Sequence, residues 1–111
     1  MVNDQTGRPT YVRDLGTAIL ALLDREVTGC VHFANAGACT WYDLAAEVRR
    51  RLGASHCPLE AIPTRPDPAL APRPAWSVLE TARYTARTGR APRPWPAALA
   101  ECLDRGEHVL A

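Results

Sequence analysis

The stretch that decides the fold is Asp4–Leu15, DQTGRPTYVRDL, which places a turn, a short extended piece and the start of a helix within twelve residues. Gly7 permits a positive φ and Pro9 stiffens the exit from the turn. Asp14 is a good N-cap for the helix that follows. All of this begins three residues after Met1, so the stretch has the character of an interior junction. We expect the chain to be the later part of a longer protein.

The composition is that of a globular domain. The 111 residues are 47% hydrophobic and carry a net charge of +1, so no charge excess favours nucleic acid or an anionic membrane. No apolar run approaches the length of a transmembrane helix, and the N-terminus lacks the basic and apolar regions of a signal peptide. We therefore expect a cytoplasmic protein with neither a nucleic-acid partner nor a membrane partner.

Two residue types limit the chemistry. All 13 basic residues are arginine, so no step that needs a lysine amine is encoded in this sequence. A zinc site formed by Cys30, His32, Cys39 and Cys57 is conceivable, because thiolates and imidazoles bind zinc. Their spacing matches no compact zinc motif, however, and free cysteines are usually buried. We interpret the cysteines as core or incidental residues and predict no metal site.

Hydrophobic spacing in the first third of the chain predicts a helix and then a strand. Leu15, Ile19, Leu22 and Leu23 recur at helical intervals, with Ala18 in the same stripe, and predict the buried face of an amphipathic helix. The short apolar run Cys30–Ala34 is typical of a buried strand. His32 alternates with apolar neighbours there, which favours an interior histidine.

The middle of the chain contains a second helix, a possible strand and a loop. Thr40 begins a capping box and Trp41 is interpreted as a packing residue of the helix, which ends near Gly53. Pro58–Ile62 is a plausible strand. The proline-rich segment 63–76 cannot form a regular helix or ladder and is predicted to be an internal loop.

Two more helices are predicted near the end of the chain. Ser77–Glu80 resembles a helix cap that leads into a short helix ending by Gly89, and Trp95–Leu103 has helical spacing. We therefore predict one partial domain over residues 1–111, of the α/β class, with two or three short strands in a small parallel sheet and about four helices. So thin a sheet predicts that the domain packs on a neighbour.

Five motifs along the chain resemble, in the right order, the C-terminal substrate-binding part of dTDP-4-dehydrorhamnose reductases. These enzymes belong to the extended short-chain dehydrogenase/reductase superfamily. The first motif is D-Q-x-G-x-P-T followed by D-L, and the last is a W-x-x-A-L-type helix. The motifs are residues 4–15, 29–35, 37–45, 73–81 and 95–103.

The resemblance implies a substrate-binding lobe that lacks the family's Rossmann domain. The glycine-rich cofactor turn and the Tyr–Lys proton-transfer pair have no counterpart in this sequence. It implies that the chain alone has no catalytic residue and binds no cofactor. NADPH (or NADH) and a Rossmann half, on the same or another polypeptide, would complete an enzyme that reduces dTDP-4-dehydro-L-rhamnose to dTDP-L-rhamnose.

Four residues are implied as contacts to the dTDP-sugar. Gln5 and Thr10 would face the sugar-nucleotide cleft, with bonding inside their own turn an equal alternative. The guanidinium of Arg73 suits a diphosphate and lies in the long loop. Trp76 could stack on a base or sugar, although anchoring the loop to the core is the favoured interpretation.

Two other functions stay open at this point. The chain could be a non-catalytic regulatory or interaction module that pairs with a Rossmann-containing partner, with an exposed apolar face as the contact. It could also be a free-standing sugar-nucleotide binder. An in-frame glycine-rich turn upstream would favour the reductase, and a ribosome-binding site just before Met1 would favour the module.

Overall fold

The computed structural model describes residues 1–106. Its four helices and one two-stranded sheet agree with the predicted α/β class of short strands and about four helices. The elements are β1 (Thr6–Gly7), α1 (Val12–Asp24), β2 (Cys39–Thr40), α2 (Trp41–Arg51), α3 (Ala82–Thr88) and α4 (Trp95–Asp104). The described residues fall into two compact units, unit 1 (Met1–Gly7 and Ala38–Val78) and unit 2 (Arg8–Gly37 and 79–106). No helix within residues 1–106 has the length and apolar character needed to cross a bilayer.

The sheet of unit 1 is organised around the first seven residues. β1 pairs antiparallel with β2, with Thr6 opposite Thr40. Two isolated parallel bridges join the same N-terminal segment to later parts of the unit, Val2 to Ile62 and Thr6 to Trp76. The predicted parallel sheet is therefore wrong, because the pairing that forms a ladder is antiparallel. Pro58–Ile62 contributes a single bridge instead of a strand.

Helix α2 begins and ends as its sequence predicts. The Thr40 hydroxyl accepts a hydrogen bond from the Asp43 amide at 3.1 Å, and the Thr40 amide donates to the Asp43 carboxylate at 2.9 Å. Hydrogen bonds from Arg50 and Arg51 lower the pKa of Glu47 to about 2, against the opposing effect of desolvation. Gly53 follows the helix with φ at +63°, the conformation in which glycine is favoured.

Helix α1 of unit 2 begins earlier than predicted, and its buried face matches the predicted stripe only in part. Its N-cap is Tyr11, and Asp14 lies in the first turn, where its carboxylate is bound by residues distant in sequence. Ala18 and Ala21 are buried, whereas Ile19 is 48% exposed. The predicted stripe is thus confirmed at Ala18 and wrong at Ile19 and Leu23, which are exposed.

The predicted strand Cys30–Ala34 is also wrong. Within residues 1–106 no strand pairs with this segment, since its nearest bridge joins Ala36 to Pro94. Ala34 is buried, but Cys30 and His32 are exposed, so the interior position predicted for the histidine is wrong as well. A strand needs a neighbour to complete its hydrogen bonds, and the described chain places none beside this segment.

The last two helices differ in how well they were predicted. α3 begins at Ala82 instead of at Ser77–Glu80, because the amide of Ser77 donates to the Thr6 carbonyl at 2.8 Å. It ends as expected at Gly89, with φ at +68°. α4 confirms the predicted final helix, with a proline in its first turn.

Candidate functional site

Residue Thr6 holds the end of the proline-rich loop. Its amide donates to the Ala75 carbonyl at 2.8 Å, and its carbonyl accepts from the Ser77 amide at 2.8 Å and from the Ser77 hydroxyl at 3.2 Å. Residues 75–77 therefore lie along one side of Thr6, while Thr40 pairs with its other side. Strand β1 therefore lies between β2 and residues 75–77 in this small hydrogen-bonded layer.

The start of the same loop is held by side chains. The Asp4 carboxylate accepts hydrogen bonds from the Thr64 hydroxyl at 2.5 Å and from the Thr64 amide at 2.9 Å. The Gln5 side-chain amide donates to the same hydroxyl at 3.0 Å. These two bonds from Thr64, the hydroxyl first, lower the pKa of Asp4. Residues 4–6 thus bind both ends of the loop.

Three of the four predicted contact residues belong to unit 1. The Nε2 donor of Gln5 is bound to Thr64, so one end of this side chain is already engaged within the protein. Trp76 is 67% exposed, which contradicts the interpretation that it anchors the loop to the core. Arg73 is exposed, and no ion pair within residues 1–106 includes it. An exposed aromatic ring and a guanidinium without a carboxylate partner therefore lie three residues apart.

The fourth predicted contact, Thr10, belongs to unit 2. Its hydroxyl lies 3.4 Å from the carbonyl of Arg8, a bond inside its own turn. Gly7 does not use the positive φ that was predicted for it. A Cβ at Gly7 would instead lie 3.1 Å from the Ser77 hydroxyl oxygen, so this glycine is needed for close approach within unit 1.

A buried polar network in unit 2 was not found from the sequence. Asn35 is fully buried, accepts a hydrogen bond from the Tyr11 amide at 2.8 Å and donates to Asp14 at 2.6 Å. Arg93 donates two hydrogen bonds to Asp14 and forms an ion pair with Glu101 at 2.8 Å. The sequence contains one signal for it, since the polar residue Asn35 directly follows the apolar run Cys30–Ala34, a position that can place a side-chain amide in the interior.

The charged groups of this network shift one another's pKa values. Burial raises the pKa of Asp14, but the hydrogen bonds and charge of Arg93, with the bond from Asn35, lower it overall. Arg93 in turn holds the pKa of Glu101 below its usual value. The guanidinium of Arg93 also lies 5.7 Å from the centre of the Tyr11 ring. These contacts are all used within unit 2, so we assign them a structural role.

Neither a cluster of metal-ligating side chains nor a glycine-rich turn is found among the described residues. Within residues 1–106 no group of three or more His, Cys, Asp or Glu side chains could hold a metal ion. The glycines with positive φ lie at separate turns, so they form no glycine-rich turn against a helix N-terminus. They are Gly29, Gly37, Gly53, Gly89 and Gly106.

One face of α1 is apolar and exposed. Val12, Leu20 and Leu23 are 71%, 68% and 68% exposed, and Ile19 and Leu15 are 48% and 37% exposed. Trp41, interpreted from the sequence as a packing residue of α2, is likewise 56% exposed. Exposed apolar side chains grouped in this way are a common feature of surfaces that contact another domain or protein.

The chain matches a known family over nearly its whole length. The model described as the RmlD substrate binding domain matches residues 1–108. The chain belongs to this family. It is 46% identical over 111 residues to a probable dTDP-4,6-dihydroxy-2-methyloxan-3-one 4-ketoreductase of Streptomyces antibioticus, a match that covers 93% of this chain and 35% of the relative. It is 41% identical to a dTDP-4-dehydrorhamnose reductase of Mycobacterium tuberculosis, covering 93% of this chain and 34% of the relative.

Solved structures of RmlD family members share the fold. A dTDP-4-dehydrorhamnose reductase of Clostridium acetobutylicum superposes with a TM-score of 0.82 at 34% identity, covering 96% of this chain and 38% of that one. The enzyme of Bacillus anthracis, solved in complex with NADP, superposes with a TM-score of 0.75 at 26% identity and covers 94% and 36%. The chain thus spans about a third of the length of the relatives it matches.

Proposed function

We propose that this chain supplies the sugar-nucleotide-binding part of a dTDP-4-dehydrorhamnose reductase, which reduces dTDP-4-dehydro-L-rhamnose to dTDP-L-rhamnose with NADPH. The observation that carries the proposal is the match of residues 1–108 to the RmlD substrate binding domain. Unit 1 supports it chemically, since it presents an exposed tryptophan and an arginine without a carboxylate partner on one clamped loop. Such side chains recognise a nucleotide base and a diphosphate.

Each proposed contact has its own task. Arg73 binds the diphosphate through the planar fork of its guanidinium, which matches phosphate oxygens in a way that an ammonium does not. Trp76 stacks on the thymine or the sugar ring. The Oε1 acceptor of Gln5 and the hydroxyl of Thr10 bond sugar hydroxyls. All four residues orient the ligand, and none of them transfers a proton or a hydride.

The remaining parts of the enzyme are proposed to come from a Rossmann half. It binds NADPH (or NADH) and carries the Tyr–Lys pair, because this sequence contains no lysine and its described glycines form no cofactor turn. Whether that half is on the same or another polypeptide, it accounts for the other two-thirds of the relatives' length.

Unit 2 contains the surface that we propose the Rossmann half covers. The exposed apolar face of α1 is solvated in the described chain, and burying it would be favourable by the hydrophobic effect. The segment Cys30–Ala34 has no strand partner within residues 1–106. The Cys30 carbonyl accepts from Arg83 at 2.7 Å, and we propose that residues 31–34 pair with a strand of that half. A domain of the same enzyme satisfies both needs at once.

A chimera tests the proposal. Residues 1–108 of this chain replace the matching C-terminal part of the Mycobacterium tuberculosis reductase, the 41% identical relative. We expect the chimera to consume NADPH only when dTDP-4-dehydro-L-rhamnose is present. A parallel assay with other dTDP-4-keto-6-deoxy sugars identifies which sugar is preferred.

The matched control is the chimera with Arg73→Gln. We expect it to bind NADPH normally and to have a KM for the dTDP-sugar raised about tenfold or more, because a charge-assisted contact to phosphate is lost. A chimera that folds and binds NADPH but reduces none of the dTDP-sugars would contradict the proposed function.

The second candidate is the non-catalytic module, and the exposed face of α1 is the observation that favours it. In that case the chain would bind a Rossmann-containing partner without contributing to substrate binding. Pull-down of an intact reductase by the chain, combined with an inactive chimera, would support this alternative.

A further inference from the structure

We propose that Thr64, bound by Asp4 and Gln5, is a positioning residue that holds the loop 65–75 in the conformation that presents Arg73 and Trp76 to the ligand. The inference deepens the proposed function and rests on it for its consequence in binding. Neither Thr64 nor Asp4 is expected to touch the substrate. Their effect is transmitted through the loop.

The first step is the geometry of attachment. Thr64 is held by three hydrogen bonds: its amide and its hydroxyl donate to the Asp4 carboxylate, and its hydroxyl accepts from the Gln5 amide. The hydroxyl is thus used as donor and acceptor at once, which only a serine or threonine can do at this position. Removing it breaks two of the three bonds.

The second step is that the same short segment holds the other end of the loop. Thr6, the residue after Gln5, pairs with residues 75–77 through bonds of 2.8 Å in both directions. Consecutive residues 4–6 therefore fix the two ends of a loop whose own residues are exposed from 63 to 77. Inside it, one turn is closed by the amides of Ala69 and Leu70 on Asp67.

The two fixed ends lower the conformational entropy of the loop before any ligand binds. Within the described chain the exposed loop packs on no core, so its conformation depends on its ends and on its prolines. Each proline already removes one backbone freedom, and closing both ends removes most of the remainder. A ligand that binds a loop already held in one conformation loses less binding free energy to the ordering of the loop than a ligand that binds a mobile loop. Loss of the hydrogen bonds at Thr64 should therefore weaken the affinity for the dTDP-sugar.

The direct test is the order of the loop in the full chain without ligand. Backbone order parameters from nitrogen relaxation are measured at Arg73 and Ala75 for the parent, Thr64→Val and Thr64→Ser. We expect values near those of rigid backbone in the parent and in Thr64→Ser, and values below about 0.6 in Thr64→Val. Thr17→Val is the matched control, because its hydroxyl bonds only within α1, to the Arg13 carbonyl.

The second test measures binding in the chimera. We expect Thr64→Val to raise the KM for the dTDP-sugar about fivefold, the effect of one hydrogen bond, with kcat and the KM for NADPH unchanged. Thr64→Ser should restore the parent KM. In the Arg73→Gln background, Thr64→Val should add less than its full effect, since the residue it positions is already gone.

The outcomes separate the two claims. Low order parameters in the parent, or unchanged ones in Thr64→Val, would overturn the inference whatever the chimera does. A fivefold effect that adds in full to that of Arg73→Gln would also overturn it. An inactive chimera would remove the proposed function, while the order parameters would still decide whether Thr64 holds the loop.

Discussion

The two units of this chain are each stabilised by a different kind of interaction. Of the ten buried residues in the described chain, only Cys39 belongs to unit 1, and the other nine belong to unit 2. Unit 2 is stabilised by buried side chains and by the network around Asn35. Unit 1 is stabilised by short backbone ladders, a helix cap and side-chain hydrogen bonds near its surface. The unit with the weaker core contains three of the four proposed ligand contacts, Gln5, Arg73 and Trp76.

This difference has a physical rationale. A loop that binds a ligand lies at the surface, which is the part of a protein where local opening costs less. Surface hydrogen bonds compete with water, so each contributes modestly and can be broken without unfolding the unit. The fully buried amide of Asn35 in unit 2 has no such competition, and removing it leaves its partners unsatisfied.

The largest expected effect is that of Asn35→Ala. It removes the acceptor of the Tyr11 amide and a donor to Asp14, both in a fully buried position. We expect a loss of about 3 kcal/mol of unfolding free energy. Urea unfolding followed by Trp95 fluorescence, with Trp41 and Trp76 replaced by phenylalanine, measures it. Asn3→Ala, at an exposed position, is the control; equal effects would remove the contrast between the units.

Acidification should weaken unit 2 through Asp14. Because the folded pKa of Asp14 is lowered, its contribution is present above its ordinary pKa of 3.8 and is lost as the pH falls through the lower folded value. We expect about 2 kcal/mol of stability to disappear below pH 4, the value of a hydrogen bond to a charged group. In Asp14→Asn this loss should be absent, as judged by urea unfolding at each pH. A variant with the same acid dependence as the parent would contradict the assignment.

Gly37→Ala sharpens the comparison at one backbone position of unit 2. Gly37 has φ at +90°, and a Cβ there would lie 3.1 Å from Cδ1 of Trp95. We expect a cost of about 1 to 2 kcal/mol, from both the backbone conformation and the contact. Gly16→Ala is the matched control, because its Cβ meets open space in α1 and alanine favours a helix. A neutral Gly37→Ala would mean that the turn adapts freely.

The smallest expected effect is in unit 1. Thr40→Ala removes the capping box of α2, and we expect a loss of about 1 kcal/mol. The measurement is urea unfolding with Trp41 as the sole tryptophan. Thr40→Ser should restore the parent value because it keeps the hydroxyl. If Thr40→Ala instead matched Asn35→Ala in cost, the two units would not differ in the way described.

Local signals in the sequence predicted the parts of the fold that depend on neighbouring residues. The capping box at Thr40, the glycines that follow α2 and α3, and the whole of α4 depend on residues a few positions apart. The start of α1 was mispredicted because Asp14 is bound by Arg93, which lies 79 residues away. No local preference contains that information.

Two further errors have a common cause. Apolar residues lie on both faces of α1, so helical spacing placed Ala18 in the buried stripe but could not show that Ala21 is buried and Ile19 exposed. Cys30–Ala34 has the composition of a strand but no partner strand in the described chain. In both cases the sequence shows that a segment is apolar but does not show which part of the protein packs against it.

The contacts implied by the motifs of the family stay predictions: Gln5, Thr10, Arg73 and Trp76. The structure shows in addition that Trp76 pairs with Thr6, the residue after Gln5. Thr64 was missed because it is an ordinary threonine between two prolines in sequence terms. Only the tertiary structure shows that it is the attachment point of the loop.

The most direct test of the account is to ask which unit responds to the ligand. In the chimera labelled with 5-fluorotryptophan, substitution by phenylalanine assigns the resonances of Trp76 in unit 1 and Trp95 in unit 2. On addition of dTDP-L-rhamnose we predict that the Trp76 resonance shifts and that the Trp95 resonance does not. A shift at Trp95 with none at Trp76 would contradict the claim that unit 1 carries the sugar-nucleotide site.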